Sequence, residues 1–415
     1  MNVLLAEHYT YLSITSPVVQ LIAYPMGVGW AKYFPDWRFR LFGSEHSLNP
    51  GPFNKKEHTI ISMMTAAGSM TSYAISILIS QEIYYGQKWG WGFQILLILS
   101  TQAMGFGVAG VLRRFLVWPA AMVWPATLIT CSIMDGLHNH SGSDPSSTNG
   151  WKMGRYKFFL IVAGATFLWE WVPNAIAPFV AYLGQFPTWI APHNVAVNQV
   201  FGGHTSLGFM PGTLDWSSVS GYFQSPLQYP SFTMYNFLAG GLLILVAGFG
   251  LAFGGPSWMK HLPLSANANF DHFGLKYNTS RILNPDITLN EQAYHAYSPL
   301  FIGPVFALSY GLGFAALMAT VVHVGLFYGK DIYRRLKDVN YEEPDVHLKL
   351  MRKYKEAPEW WFAALFLGSF AVGLAASLVW DTKLTWWGFI ICIILGAGLV
   401  LPVGKGHSTH CTGHI

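Results

Sequence analysis

The sequence predicts an all-α protein, a polytopic bundle of transmembrane helices, and three observations carry that reading. Apolar runs of about 20 residues, the length that crosses about 30 Å of hydrocarbon, recur along the 415-residue chain. Hydrophobic residues make up 52% and charged residues only 11%, against roughly a quarter charged in an average soluble domain. The charges collect in short stretches between the apolar runs, where a soluble protein would spread them over its domain surfaces.

Nine segments approach or meet the spanning length: 11–31, 60–81, 91–112, 115–137, 157–183, 232–255, 299–328, 361–380 and 385–403. Trp30, Trp91, Trp151, Trp258, Trp361 and Trp386 fall near their ends, at the depth that amphipathic rings favour. A tenth hydrophobic region, 186–231, is interrupted by Pro187, Pro192, Gly202, Gly203, Gly208, Pro211 and Gly212. No basic leader precedes the first run, which therefore reads as a span and not as a cleaved signal. The expected organisation is one membrane domain, 1–403, followed by an atypical tail, 404–415.

Basic residues give the sidedness. Lys32, Arg38, Arg40, Lys55 and Lys56 lie between the first two spans, and Lys330, Arg334, Arg335, Lys337, Lys349, Arg352, Lys353 and Lys355 lie between the seventh and eighth. Both loops belong in the cytoplasm by the positive-inside rule. The second to the seventh spans separate them, an even number, so 186–231 is expected not to cross but to form a re-entrant or broken-helix segment. Irregular backbone at membrane depth is tolerated where protein buries it or where it lines a water-filled path. The same topology puts 258–298 outside, where Asn278-Thr279-Ser280 is an N-glycosylation sequon.

Composition also excludes several classes. A net charge of +4 is too small to argue for a nucleic-acid partner. Cys131, Cys392 and Cys411 lack C-x-x-C spacing, so neither a disulfide framework nor a strong metal site is indicated. Gly-rich phosphate loops and a G-x-S-x-G turn are absent, which argues against an ATP-driven pump and a serine hydrolase. No cofactor is expected. A membrane-embedded metalloenzyme would need several His or acidic ligands at one depth, and the spacing supplies no such set.

Polar residues inside apolar segments are the candidates for chemistry. Glu170, in Phe167-Leu168-Trp169-Glu170-Trp171-Val172-Pro173, is either a proton-carrying group or a structural partner for a cation or helix N-terminus. Gln94 and Gln102 share a helix face; Gln94 reads as an interhelical amide, and Gln102 as part of a polar path. His193, Asn194, Asn198, Gln199 and His204 crowd the interrupted region. They either line a path for a polar ligand or satisfy that segment's own backbone. His138-Asn139-His140 reads as a solvated loop. His407, His410, Cys411 and His414 have zinc-ligand chemistry but read as a flexible terminus.

The run Asn49-Pro50-Gly51-Pro52-Phe53-Asn54-Lys55-Lys56-Glu57-His58 resembles the N-P-G-P-F-N-x-K-E-H signature of the oligopeptide transporter family. Similarity continues through Tyr84-Tyr85-Gly86-Gln87, Arg113-Arg114-Phe115-Leu116-Val117-Trp118-Pro119 and Trp189-Ile190-Ala191-Pro192-His193-Asn194. Glu343-Pro344-Asp345-Val346-His347 looks like the cytoplasmic stretch of the fungal branch. The resemblance implies proton-driven uptake of small peptides or glutathione-like peptides, in a multi-pass protein of the plasma membrane. Small peptides, protons and lipid are then the partners. An alternative within the class is a metal-siderophore or metal-chelate carrier.

Physically, Pro50 and Pro52 oppose helix and Gly51 permits unusual dihedrals, so the signature is expected to shape a turn more than to touch substrate. Family members normally carry a further span before residue 11 and about as many again after 403. The chain is therefore expected to be the first half of a transporter, unable to complete a cycle alone. Self-association or pairing with a full-length relative follows as a third reading.

Overall fold

The computed structural model describes residues 14–412 apart from 42, 70–71, 121, 139–149, 204, 211, 224, 226, 338–345 and 381. Nearly all of the regular secondary structure among the described residues is helical, as the apolar runs require. Seven described helices are long and apolar enough to cross a membrane: Lys55–Tyr84, Gly90–Leu116, Arg155–Ile176, Ser231–Gly254, Pro304–Lys337, Glu359–Val379 and Trp386–His407. Their side chains remain largely exposed, with Leu243 at 71% and Val246 at 70%. A soluble protein could not leave such faces in water; in lipid they cost nothing. The chain is an integral membrane protein.

Two of the nine expected spans come out differently. The first is helix α1, Ser16–Tyr33, which has 18 residues and is not among the seven. The fourth, 115–137, is not continuous. Helix α4, Gly90–Leu116, ends before Pro119, and α5 begins at Pro125 and runs only 14 residues, Pro125–His138. Proline lacks the N–H that helix propagation needs, so the two prolines divide an apolar stretch that hydropathy alone joins. The 14 described residues of α5 reach about 21 Å, short of the hydrocarbon thickness. The six-span count that kept 186–231 from crossing therefore loses one of its members.

The chain divides into two compact units, Met1–Gly142 with Phe327–Ile415, and Ser143–Leu326. In the first, α1 is followed by an antiparallel hairpin, β1 (Arg38–Leu41) and β2 (Ser44–Ser47), then α2 (Lys55–Ser69) and α3 (Tyr73–Ile79). A π-helical turn, Ser80–Tyr84, precedes α4 and α5. The end of α12 (Pro304–Lys337), short α13 (Val346–Met351), α14 (Glu359–Val379) and α15 (Trp386–Thr412) complete the unit.

Helices α4 and α14 pack closely because α4 carries glycine where α14 carries phenylalanine. A Cβ at Gly110 would overlap the Phe362 ring, and one at Gly107 would fall 2.8 Å from Phe366 Cβ. Small residues let membrane helices approach where no hydrophobic force drives them together.

One end of this unit gathers its charge. Lys56 Nζ lies 5.4 Å from the Tyr354 ring centroid, Arg113 pairs with Glu356 at 3.8 Å, and Arg113 Nη2 donates to Ala357 O at 3.2 Å. Asp331 accepts from Arg335 at 3.1 Å and from Lys405 at 3.4 Å. The two basic loops of the sequence thus meet. The tail read as flexible continues α15 to Thr412, with Lys405 buried; the side chains of His410, Cys411 and His414 lie outside the described residues.

The second unit holds α6 (Arg155–Trp171), a π-helical turn Val172–Ile176, a 3-10 segment Pro178–Gln185, and the short helices α7 (Phe186–Ile190), α8 (Val195–Phe201) and α9 (Trp216–Phe223). This is the broken-helix region that its prolines and glycines predict. After α10 (Ser231–Gly254) comes a loop module with α11 (Glu291–Tyr297) and the paired strands β3 (Asn269–Phe270) and β4 (Phe301–Ile302). Ala252, Leu264 and Val305 form a buried cluster beneath it with Leu207 against them.

Candidate functional site

Between Lys157 and Lys260 the sequence holds only two acidic or basic side chains, setting histidine aside: Glu170 and Asp215. The fold brings them within hydrogen-bonding reach of one another. Glu170 is the penultimate residue of α6, where Pro173 interrupts regular bonding and the backbone widens into the π-helical turn. Asn174 Nδ2 reaches back to Glu170, donating to its main-chain oxygen at 2.9 Å and to Oε2 at 3.1 Å. That amide both satisfies a loosened carbonyl and orients the carboxyl. Single π turns of this kind recur at functional positions.

Asp215 arrives from the far side of the broken region, held by three tethers. Gly184 N–H donates to Gly212 O at 2.7 Å and Leu214 N–H to Val180 O at 3.1 Å, while the Trp169 indole donates to Leu214 O at 2.9 Å. Glycine is required at 184, because a Cβ there would collide with the Met210 carbonyl. Asp215 also caps α9, its Oδ1 accepting from Ser217 N at 2.9 Å and Ser217 Oγ at 2.5 Å.

Both carboxyls are half-buried. Ionised carboxylates only accept hydrogen bonds, so a bond shared between these two requires a proton on one of them. The pair is a place where a single proton can be held. Asp215 borders a groove of about 590 Å³ walled by Ala165, Thr166, Trp169 and Trp216.

The other expected path residues are not gathered here. Asn194 Oδ1 caps α8, accepting from Ala196 N at 3.0 Å and Val197 N at 3.3 Å. Asn198 Nδ2 donates to Pro192 O at 2.7 Å and Asn194 O at 3.1 Å. Both amides serve the segment's own backbone. His193 is exposed and Gln199 half-buried, and His204 lies outside the described residues. Gln102 is exposed on α4 in the other unit. Gln94 Nε2 reaches Glu82 Oε2 at 3.4 Å.

The run 49–58 is a folding device in the first unit. Asn49 Nδ2 donates to Ala31 O at 3.1 Å and Phe34 O at 2.6 Å, closing carbonyls that the end of α1 leaves open. Gly51 takes φ +146°, which a side chain opposes. The Phe53 ring fills the space over Gly27. Asn54 and Glu57 form a reciprocal cap on α2: Asn54 Oδ1 accepts from Lys56 N at 2.9 Å and Glu57 N at 3.1 Å, and Glu57 Oε2 accepts from Asn54 N at 3.2 Å. Pro50 and Pro52 keep the intervening chain out of helix. His58 is wholly buried and Nε2 donates to Gln20 O at 3.1 Å.

The family model described as OPT oligopeptide transporter protein matches residues 1–409. The chain belongs to the oligopeptide transporter family. It is 37% identical over 402 residues to the sexual differentiation process protein isp4 of Schizosaccharomyces pombe, covering 95% of this chain and 51% of that one. Glutathione transporter 1 of the same yeast is 36% identical, with 97% of this chain and 48% of that one aligned. Oligopeptide transporter 1 of Saccharomyces cerevisiae is 36% identical, with 97% and 51% aligned. The chain spans about half the length of the curated relatives it matches. No solved structure matches it.

Two residues of this family member escape sequence reading. Asp215 looks like an ordinary helix cap; its one signal is that it is the sole charged residue in an apolar, broken segment. His138 reads as loop but ends α5 beside His58, while Asn139 and His140 lie outside the described residues. Among the described residues no group of three or more His, Cys, Asp or Glu could hold a metal ion.

Proposed function

We propose that this chain forms part of a proton-coupled carrier of small peptides, glutathione-like peptides included, in the plasma membrane, with Glu170 and Asp215 as its proton-holding pair. One observation carries this reading: the only two acidic or basic side chains, histidine aside, in the long apolar stretch between Lys157 and Lys260 meet at a broken helix. The chain's relatives, a glutathione transporter and oligopeptide transporters, suggest the substrate class. With two protons the pair is neutral, and with one it carries a charge. A charge is costly in hydrocarbon, so the proton count biases which arrangement of the broken segment is favoured. Carriers commonly place their sites on such discontinuous helices. Substrate is moved without a covalent change, and protons, peptide and lipid are the partners.

The test is labelled-peptide uptake in an uptake-deficient yeast, with this sequence replacing the matching segment of the S. cerevisiae relative. Accumulation should require an inward proton gradient, and Glu170→Gln or Asp215→Asn should weaken that requirement at least tenfold. Unchanged pH dependence in both variants would reduce the pair to a structural contact.

A further inference from the structure

The loop module between α10 and α12 presents an asparagine that the transport reading does not use. Tyr277 is buried, and its hydroxyl donates to Ser298 O at 2.8 Å. The next three residues, Asn278, Thr279 and Ser280, are all exposed. The Tyr297 hydroxyl accepts from Asn278 N at 3.4 Å, so the main chain is held while the side chain stands in solvent.

Asn278 Oδ1 accepts from Ser280 N at 3.2 Å. This closes a turn through the Ser280 main chain and leaves Nδ2 without a protein partner among the described residues. Packing below keeps the turn in place: Leu262, Ala266 and Phe270 form a buried cluster with Ala268 and Phe301 against it.

Sidedness comes from the charged end of the other unit. The Lys56–Tyr354 and Arg113–Glu356 contacts put both basic loops at one end, which the positive-inside rule assigns to the cytoplasm. Helix α12 begins just after the loop module and carries Arg334, Arg335 and Lys337 in its own last turn, which the same rule assigns to the cytoplasmic side. A single crossing therefore leaves the module on the opposite, lumenal or extracellular, side, and this holds whether or not 186–231 crosses.

We propose that Asn278 is an N-glycan acceptor. Its Nδ2 attacks the anomeric carbon of a polyprenyl-diphosphate-linked oligosaccharide presented by the membrane's glycosyl transferase. A carbon–nitrogen bond forms, the anomeric carbon–oxygen bond breaks, polyprenyl diphosphate leaves, and the amide proton passes to a base of the transferase. Ser280 supplies the hydroxyl such transferases read at the third position.

The experiment expresses the tagged 415-residue chain in yeast and compares its gel mobility before and after endoglycosidase H. Core glycans are added in the endoplasmic reticulum, so the readout does not depend on export. The sequence contains a second tripeptide of this kind, Asn139-His140-Ser141, so variants at Asn278 carry the test and not the enzyme shift alone. Asn278→Gln and Ser280→Ala should each migrate faster than the parent by one glycan. Ser280→Thr should keep the slow form. Ser280→Ala preserves the Asn278 turn and so guards against misfolding as a cause. Co-migration of undigested Ser280→Ala with the undigested parent would overturn the proposal.

Discussion

His58 Nδ1 lies 2.8 Å from His138 Nε2, which joins α2 to α5 through two imidazoles in direct hydrogen-bond contact. Because His58 Nε2 donates to the Gln20 carbonyl, Nδ1 of the neutral ring is the acceptor and His138 Nε2–H the donor. Tyr24 on α1 stacks edge-on against His138, with ring centroids 5.0 Å apart. Three helices thus meet at these two rings, of which His58 is wholly buried and His138 half-buried. Replacing His58 by leucine keeps volume but removes the imidazole's bonds to the Gln20 carbonyl and to His138. A loss of about 1–3 kcal/mol is expected, read as a lower unfolding midpoint in detergent.

The reciprocal cap on α2 makes a smaller prediction. Asn54→Ala removes the acceptor for two N–H groups and should cost about 1 kcal/mol. Asn54→Asp keeps that acceptor and should restore most of it. Thermal unfolding of the three proteins in one detergent checks the order.

Asp331 is the common partner of Arg335 and Lys405, whose side chains are 8% and 4% exposed against its own 28%. Asp331→Ala leaves two buried cations without it, and up to about 3 kcal/mol should be lost, the lower end for a broken buried pair because Asp331 still meets solvent. Adding Lys405→Met should recover part of the loss. Strict additivity of the two substitutions in a denaturation series would contradict direct coupling.

In the loop module, burial pushes the Asp271 carboxyl up. The N–H groups of Leu275 and Phe273, the Tyr297 hydroxyl and nearby His272 outweigh it, and the pKa settles below its ordinary value. A carboxyl with a depressed folded pKa contributes stability above its unfolded value, near 3.9, and loses it as pH falls through the folded one. Hydrogen exchange of 258–302 should therefore quicken as pH is lowered below about 4, after correction for intrinsic rates. Asp271→Asn should exchange faster at pH 7 and show little further acid dependence.

The sequence by itself determined what depends on neighbours along the chain. Apolar runs dictated spanning helices, since a backbone in hydrocarbon must bond within its own segment. Proline and glycine between Phe186 and Ser231 dictated broken helices, and Pro50, Gly51 and Pro52 dictated a turn before the second span. Pro119 and Pro125 were legible too, but hydropathy averages over them, so one apolar stretch read as a span where the fold makes a 14-residue helix.

Only the tertiary structure decided which distant polar groups meet. Glu170 and Asp215, His58 and His138, Lys56 and Tyr354, and Asp331 and Lys405 are each separated by long apolar segments with no periodic relation between their ends. Their pairing depends on how helices pack and where glycines such as Gly107, Gly110 and Gly184 let backbones approach. Hydrophobic periodicity assigns a residue to a face of its own helix; it carries no information about what that face meets.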